Sequence, residues 1–211
     1  METIESLKKK LTSESQEVLT LCGEFLDQRI EKERLRGESA ENRANIILTA
    51  SGAASAFLVF FSDKLPDVTS SNNALFTLIY AVSALWLLKS VWYSIKSISS
   101  QSRLQIVADN VFEFQKEDRL NAMKMIISSK LWELQNSIQP NSERLFYVQR
   151  AQRALIVFIS LLLLEGLALL TKNIAIINQN KCLIIIFILL SVFSFFFGDK
   201  LIEKKGIWNY N

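Results

Sequence analysis

The chain has 211 residues, half of them hydrophobic, and its 24 Lys and Arg against 21 Asp and Glu leave a net charge of +3, which singles out no nucleic-acid partner. Histidine is absent and Cys22 and Cys182 are the only cysteines, so neither a zinc site nor a Ser-His-Asp or Cys-His nucleophile system can be assembled. No GxxxxGK[ST] or GxGxxG is present to cradle a phosphate, so the chain reads as a non-enzyme with no cofactor.

In chain order, residues 1–40 come first and carry no apolar signal-peptide core. Ile4, Leu11, Val18 and Phe25 are spaced by seven, and Leu7, Leu21 and Leu35 fit the companion position, with Glu14 and Gln28 interrupting it. The spacing predicts a helix over 1–36 that packs on other helices or forms a coiled coil. Gly37 interrupts the pattern, and Ser39 is placed to cap the helix that follows. The mixed-charge stretch with Glu31 and Arg34 reads either as a solvated face or, with Leu21 and Phe25, as a surface for a cytosolic partner or signal.

The first apolar run falls in 41–62, with no charge between Arg43 and Asp63. A helix crosses a bilayer core in roughly 20 residues. Ser51 and Ser55, and Gly52 and Ala56, are four apart, a spacing that lets helices approach closely in lipid. That face serves packing within the chain or self-association. The second run, 73–93, lengthens if Lys89 snorkels with Trp92 and Tyr93 at the interface.

Residues 94–145 carry two apolar stripes. Leu104, Val107, Val111 and Phe114 continue the second span into the cytosol, with Val111 and Phe114 on the partner or signal surface. Phase is lost at 116–119, which predicts a bend, and resumes with Met123, Ile127, Leu131, Leu134 and Ile138. Gln139-Pro140-Asn141-Ser142 predicts a turn, with a new helix from about Glu143. The third span, 152–171, holds one acid, Glu165. A charge at that depth costs about 3 kcal/mol or more. Glu165 is a candidate pore-lining or proton-sensitive group, which an oligomer would arrange as a ring. Alternatively its carboxyl hydrogen-bonds Ser51, Ser55, Ser191 or Ser194, or it is hydrated near an interface. The fourth span, 182–199, is rich in Phe and lipid-facing, and 200–211 form a tail.

Charge sets the orientation. Lys and Arg number 8 in residues 1–43, 10 in residues 89–153 and 3 in the tail, so 21 of 24 lie outside the two short connections. The positive-inside rule places both termini and the middle segment in the cytosol. Arg43, Lys89, Arg150 and Arg153 form a belt for lipid headgroups. Abundant Leu, Ile, Lys and Asn point to an AT-rich bacterial gene and an inner-membrane protein. The expected fold class is all-α: an integral membrane protein with four transmembrane helices as two hairpins and a cytosolic helical bundle.

The stretch Ala40-Glu-Asn-Arg-Ala-Asn-Ile-Ile-Leu-Thr-Ala-Ser-Gly-Ala-Ala-Ser and the basic re-entry Tyr147-Val-Gln-Arg-Ala-Gln-Arg-Ala-Leu-Ile-Val-Phe resemble elements of Pycsar transmembrane effectors and SLATT-type effectors of bacterial antiphage defence. The four-span plan is also similar to the Kiwa membrane subunit. The second hairpin, with almost no soluble part after it, departs from some of these effectors, so nucleotide binding is not carried over. The resemblance implies an oligomeric inner-membrane protein that answers a cytosolic signal or protein partner by perturbing or permeabilising the membrane. Two alternatives stand beside it: a non-conducting scaffold that recruits and regulates a cytosolic defence protein, and a small ion channel or transporter unrelated to defence.

Overall fold

The computed structural model describes residues 3–62, 71–99 and 117–170, together with helical residues at 185–186, 189–191 and 193–194. Side chains at 71–75 and 167–170 are outside the description. The described residues are helical and include no strand: α1 is Ile4–Lys10, α2 Gln16–Ser62, α3 Ser71–Ser99 and α4 Arg119–Leu170. By length and composition, α2, α3 over Phe76–Ser99 and α4 are each able to cross a membrane. The fourth apolar run is described only at its few helical residues. Cys182, the tail, and Leu104, Val107, Val111 and Phe114 fall outside the described residues.

The chain divides into two compact units. The first comprises Met1–Asn45 and Ile95–Val148, the second Ile46–Ser94 and Gln149–Asn211.

In the first unit the expected helix over 1–36 is two helices. The run Leu11-Thr-Ser-Glu-Ser15 separates them because its hydroxyls compete for backbone groups. Ser13 Oγ accepts from Ser15 N at 3.3 Å, and Ser15 Oγ accepts from Val18 N at 3.5 Å as α2 begins. The expected seam holds at Leu7, which is buried in α1, and is out of phase by one residue in α2. Leu19 and Leu26 are the buried pair, packed with Ile127 and flanked by Leu11, Leu120, Met123, Leu131 and Leu134. Val18, Leu21, Phe25 and Leu35 are exposed.

Two expected interruptions are continuous helix. α2 passes Gly37 and Ser39 without a break, and α4 passes Pro140. The two positions explain each other. A Cβ on Gly37 would lie 2.7 Å from Asn141 Oδ1, so the glycine is there for close approach. Asn141 Nδ2 donates to the Glu33 carbonyl at 2.7 Å. Pro140 removes one backbone donor, but the packing of its neighbour against α2 holds the helix on course. At the other end of this stretch, Asp118 Oδ1 accepts from Asn121 N at 2.9 Å and caps α4 where the stripe resumes.

The second unit is apolar outside and partly polar inside, the inverse of a water-soluble core. Ile46, Phe57, Phe60, Leu78, Leu85, Leu88, Ile156 and Leu163 are exposed, whereas Ser51, Ser83, Ser90, Ser94 and Glu165 are buried. Its apolar centre is Leu58, Ile79, Val82, Trp86, Leu87, Ala154, Phe158 and Leu161. On α2 the inward residues of this unit, Ile47, Ser51, Ala54 and Leu58, keep a spacing of four, three, four. The same three-four spacing carries Leu26, Ile30, Glu33, Gly37, Ala40 and Ala44 on the less exposed side of the helix in the first unit. A heptad of this kind keeps one face turned to its neighbours over many turns.

Candidate functional site

Glu165 stands on the inward stripe of α4, in series with Ala151, Ala154, Phe158 and Leu161. It is 1% exposed, and neither carboxylate oxygen has a hydrogen-bond partner among the described residues. The adjacent Gly166 lies 3.5 Å, at its Cβ position, from the Phe61 ring. Phe61 is one residue from the end of α2, so Glu165 sits toward that end of the second unit rather than at its middle. Of the four hydroxyls expected as partners, Ser194 is exposed and the other three make different hydrogen bonds. Ser55 donates to the Gly52 carbonyl at 2.6 Å, Ser191 accepts from Trp86 Nε1 at 2.7 Å, and Ser51 pairs with Ser90 at 3.4 Å. A buried carboxyl with no partner among the described residues is costly to keep and is normally explained by a role or a proton.

A second polar point holds the three helices together. Ser90 Oγ donates to the Ala151 carbonyl at 3.0 Å and meets Ser51 Oγ. With its hydrogen committed to Ala151, Ser90 accepts from Ser51. α2, α3 and α4 therefore converge on two hydroxyls and an alanine, where only small side chains fit. Ser94 donates to the Ser90 carbonyl at 3.0 Å and Ser83 to the Tyr80 carbonyl at 2.7 Å. Their signal in the sequence is the spacing of Ser83, Ser90 and Ser97 by seven.

The four-apart set on α2 is divided. Ser51 is inside, while Gly52, Ser55 and Ala56 are exposed, and nothing lies within 4 Å of a Cβ on Gly52. The expected basic belt is divided as well. Arg43 and Arg153 are exposed. Lys89 is half-buried, with its ammonium 5.1 Å from the Trp86 ring and 5.8 Å from Tyr93. Arg150 is buried, its guanidinium 5.7 Å from the Tyr93 ring, so cation–π attraction replaces part of its hydration.

In the first unit Leu21 and Phe25 are exposed, and Arg29 lies over the Phe25 ring at 5.3 Å. Arg34 bridges Glu31 at 2.6 Å and Glu38 at 3.1 Å. The hydrogen bond and charge of Arg34 hold the Glu31 carboxyl below its ordinary range. Lys130 bridges Asp27 at 2.7 Å. Burial, followed by the charge of Asp27, pushes the Glu133 carboxyl up, against the pull of Lys130.

No protein family, curated protein or solved structure matches the chain.

Proposed function

We propose that the chain is an oligomeric bacterial inner-membrane protein with four spans and both termini in the cytosol. Its second unit lies in the membrane. A cytosolic signal or partner acts on its first unit, and the membrane is then perturbed or permeabilised, as the resemblance to antiphage effectors implies. One observation supports this reading: an apolar exterior around an interior that buries the Glu165 carboxyl with no hydrogen-bond partner among the described residues. Such a group is retained against a standing cost in lipid, and ionisable residues inside membranes mark ion and proton paths. α2 and α3 each contribute to both units as single helices, and packed helices shift as bodies.

The test is Glu165→Gln, which keeps the shape and removes the charge. Toxicity and dye uptake in expressing cells should change while membrane insertion, read by fractionation, stays the same. Unchanged dye uptake in a fully inserted variant refutes the role of Glu165 in permeation.

A non-conducting scaffold is the second reading. It is favoured by the close packing around Ser90, whose hydroxyl is shared between Ala151 and Ser51. Co-purification of a cytosolic protein, with no ion flux in liposomes, would select it.

A further inference from the structure

Residues 16–45 of α2 present two apolar seams on opposite sides of one helix. Leu19, Leu26 and Ala40 are buried on one side, together with Gly37 and Ala44. On the other side Val18, Leu21, Phe25 and Leu35 are 46%, 65%, 55% and 51% exposed. With Val18 as position a of a heptad, the outer seam reads Val18, Leu21, Phe25, Gln28, Lys32 and Leu35 at alternating a and d. The inward residues then occupy b and f.

The charges flanking the outer seam identify what covers it. Position g is Glu17, Glu24, Glu31 and Glu38, and position e is Cys22, Arg29, Arg36 and Arg43. One flank is wholly acidic and the other basic after its cysteine. In a parallel in-register pair, g of one helix meets e of the next heptad in its partner. That sets Glu24 on Arg29, Glu31 on Arg36 and Glu38 on Arg43, and symmetry repeats each pair, in exchange for the intrahelical bridges of Arg34 to Glu31 and Glu38 and of Arg36 to Glu33. In an antiparallel pair g meets g and e meets e, which sets Glu on Glu and Arg on Arg. The pattern thus attracts one arrangement and repels the other. Gln28 and Asn42 at d and Lys32 and Ser39 at a weaken the seam but pin its register. The chain's own stripe of Leu104, Val107, Val111 and Phe114 is a poorer occupant. Its flanks are Ala108, Asn110 and Gln115, with charges only at its ends, Arg103 and Glu117.

We infer that residues 17–43 of α2 form a parallel, in-register two-stranded coiled coil with a second copy of this chain. This deepens the oligomeric part of the proposed function and rests on it in one respect: copies inserted the same way enter the membrane with their α2 helices parallel. Each copy keeps its b/f face for its own α4 and offers its a/d face to the other.

Disulfide trapping of the full-length protein in membranes tests this, in a Cys22→Ser/Cys182→Ser background. Leu21→Cys at position d should give a covalent dimer on mild oxidation, and Thr20→Cys, exposed at position c, should not. Adding Glu24→Arg/Glu31→Arg to Leu21→Cys should abolish the dimer, as should adding Arg29→Glu/Arg36→Glu. Co-expressing the two charge variants should restore it as a heterodimer, which separates lost pairing from lost folding. Four results overturn the inference: no dimer from Leu21→Cys, equal trapping through Thr20→Cys, charge variants that trap like the parent, or an intrachain bond to Val111→Cys in place of the dimer. Loss of trapping alongside intact Glu165-dependent dye uptake would remove the coiled coil and leave the permeation role standing.

Discussion

Gly37→Ala should destabilise the protein although alanine is the better helix former. Replacing a helical glycine by alanine gains about 1 kcal/mol when the new methyl has room. At Gly37 it has none, since Asn141 Oδ1 would lie at 2.7 Å and Asn141 Cγ at 3.3 Å. Asn141 is short, buried and tied to the Glu33 carbonyl at 2.7 Å, so it moves only by giving up that bond. Overpacking costs about 1–3 kcal/mol, and a buried amide left without its partner costs about 1–3 kcal/mol more. Against the gain of about 1 kcal/mol, these two costs leave a net loss of about 1–5 kcal/mol. Gly23→Ala is the internal control, because nothing lies within 4 Å of its Cβ. It should stabilise by up to about 1 kcal/mol. Thermal unfolding in detergent followed by circular dichroism reads both, with about 2–4 °C expected per kcal/mol at this size. In an Asn141→Ala background the sign at Gly37 should reverse, because the obstructing side chain is gone. If Gly37→Ala raises the melting temperature as Gly23→Ala does, or stays destabilising without Asn141, the close-approach argument fails.

Leu19→Ala should cost about 2–4 kcal/mol by opening a cavity against Ile127. Ser90→Ala should cost about 1 kcal/mol from its lost hydrogen bonds. Ser90→Leu should disrupt the unit far more, since α2 and α4 close on that point; equal effects in limited proteolysis would count against the three-helix contact. Glu133 binds its proton more tightly folded than unfolded, so the folded state holds more protons as pH rises from about 4.5 through the raised value, and stability falls over that window. Glu133→Gln should therefore raise the melting temperature at pH 7 and make no difference in mild acid; a gain independent of pH would refute the assignment to Glu133.

Much of this molecule is legible along the chain because lipid and helices impose simple periods. Uncharged runs such as 44–62 announce a helix that has no need of water. Met123, Ile127, Leu131 and Leu134 show a stripe whose packing is independent of detail, and they do pack on Leu19 and Leu26. Glu165 is conspicuous for the same reason, as one acid in an apolar run. The phase of residues 16–45 was hidden because both sides of the helix carry a heptad, and periodicity does not say which one turns inward. Gly37 and Pro140 misled because each is a local breaker by intrinsic preference, while their roles depend on a partner more than 100 residues away in sequence. Ser90 was overlooked because a serine in a membrane helix has meaning only through what it touches.

Helical class, apolar runs and charge asymmetry were thus determined by the sequence alone, since they follow from burial and backbone satisfaction summed over many residues. Which seam faces in, why a glycine stands at 37, how an asparagine beside a proline fits a continuous helix, and that the Glu165 carboxyl is buried with no hydrogen-bond partner among the described residues were decided only by tertiary structure. Each of those depends on a contact between helices distant in sequence, and a gap of less than an ångström is enough to reverse its sign.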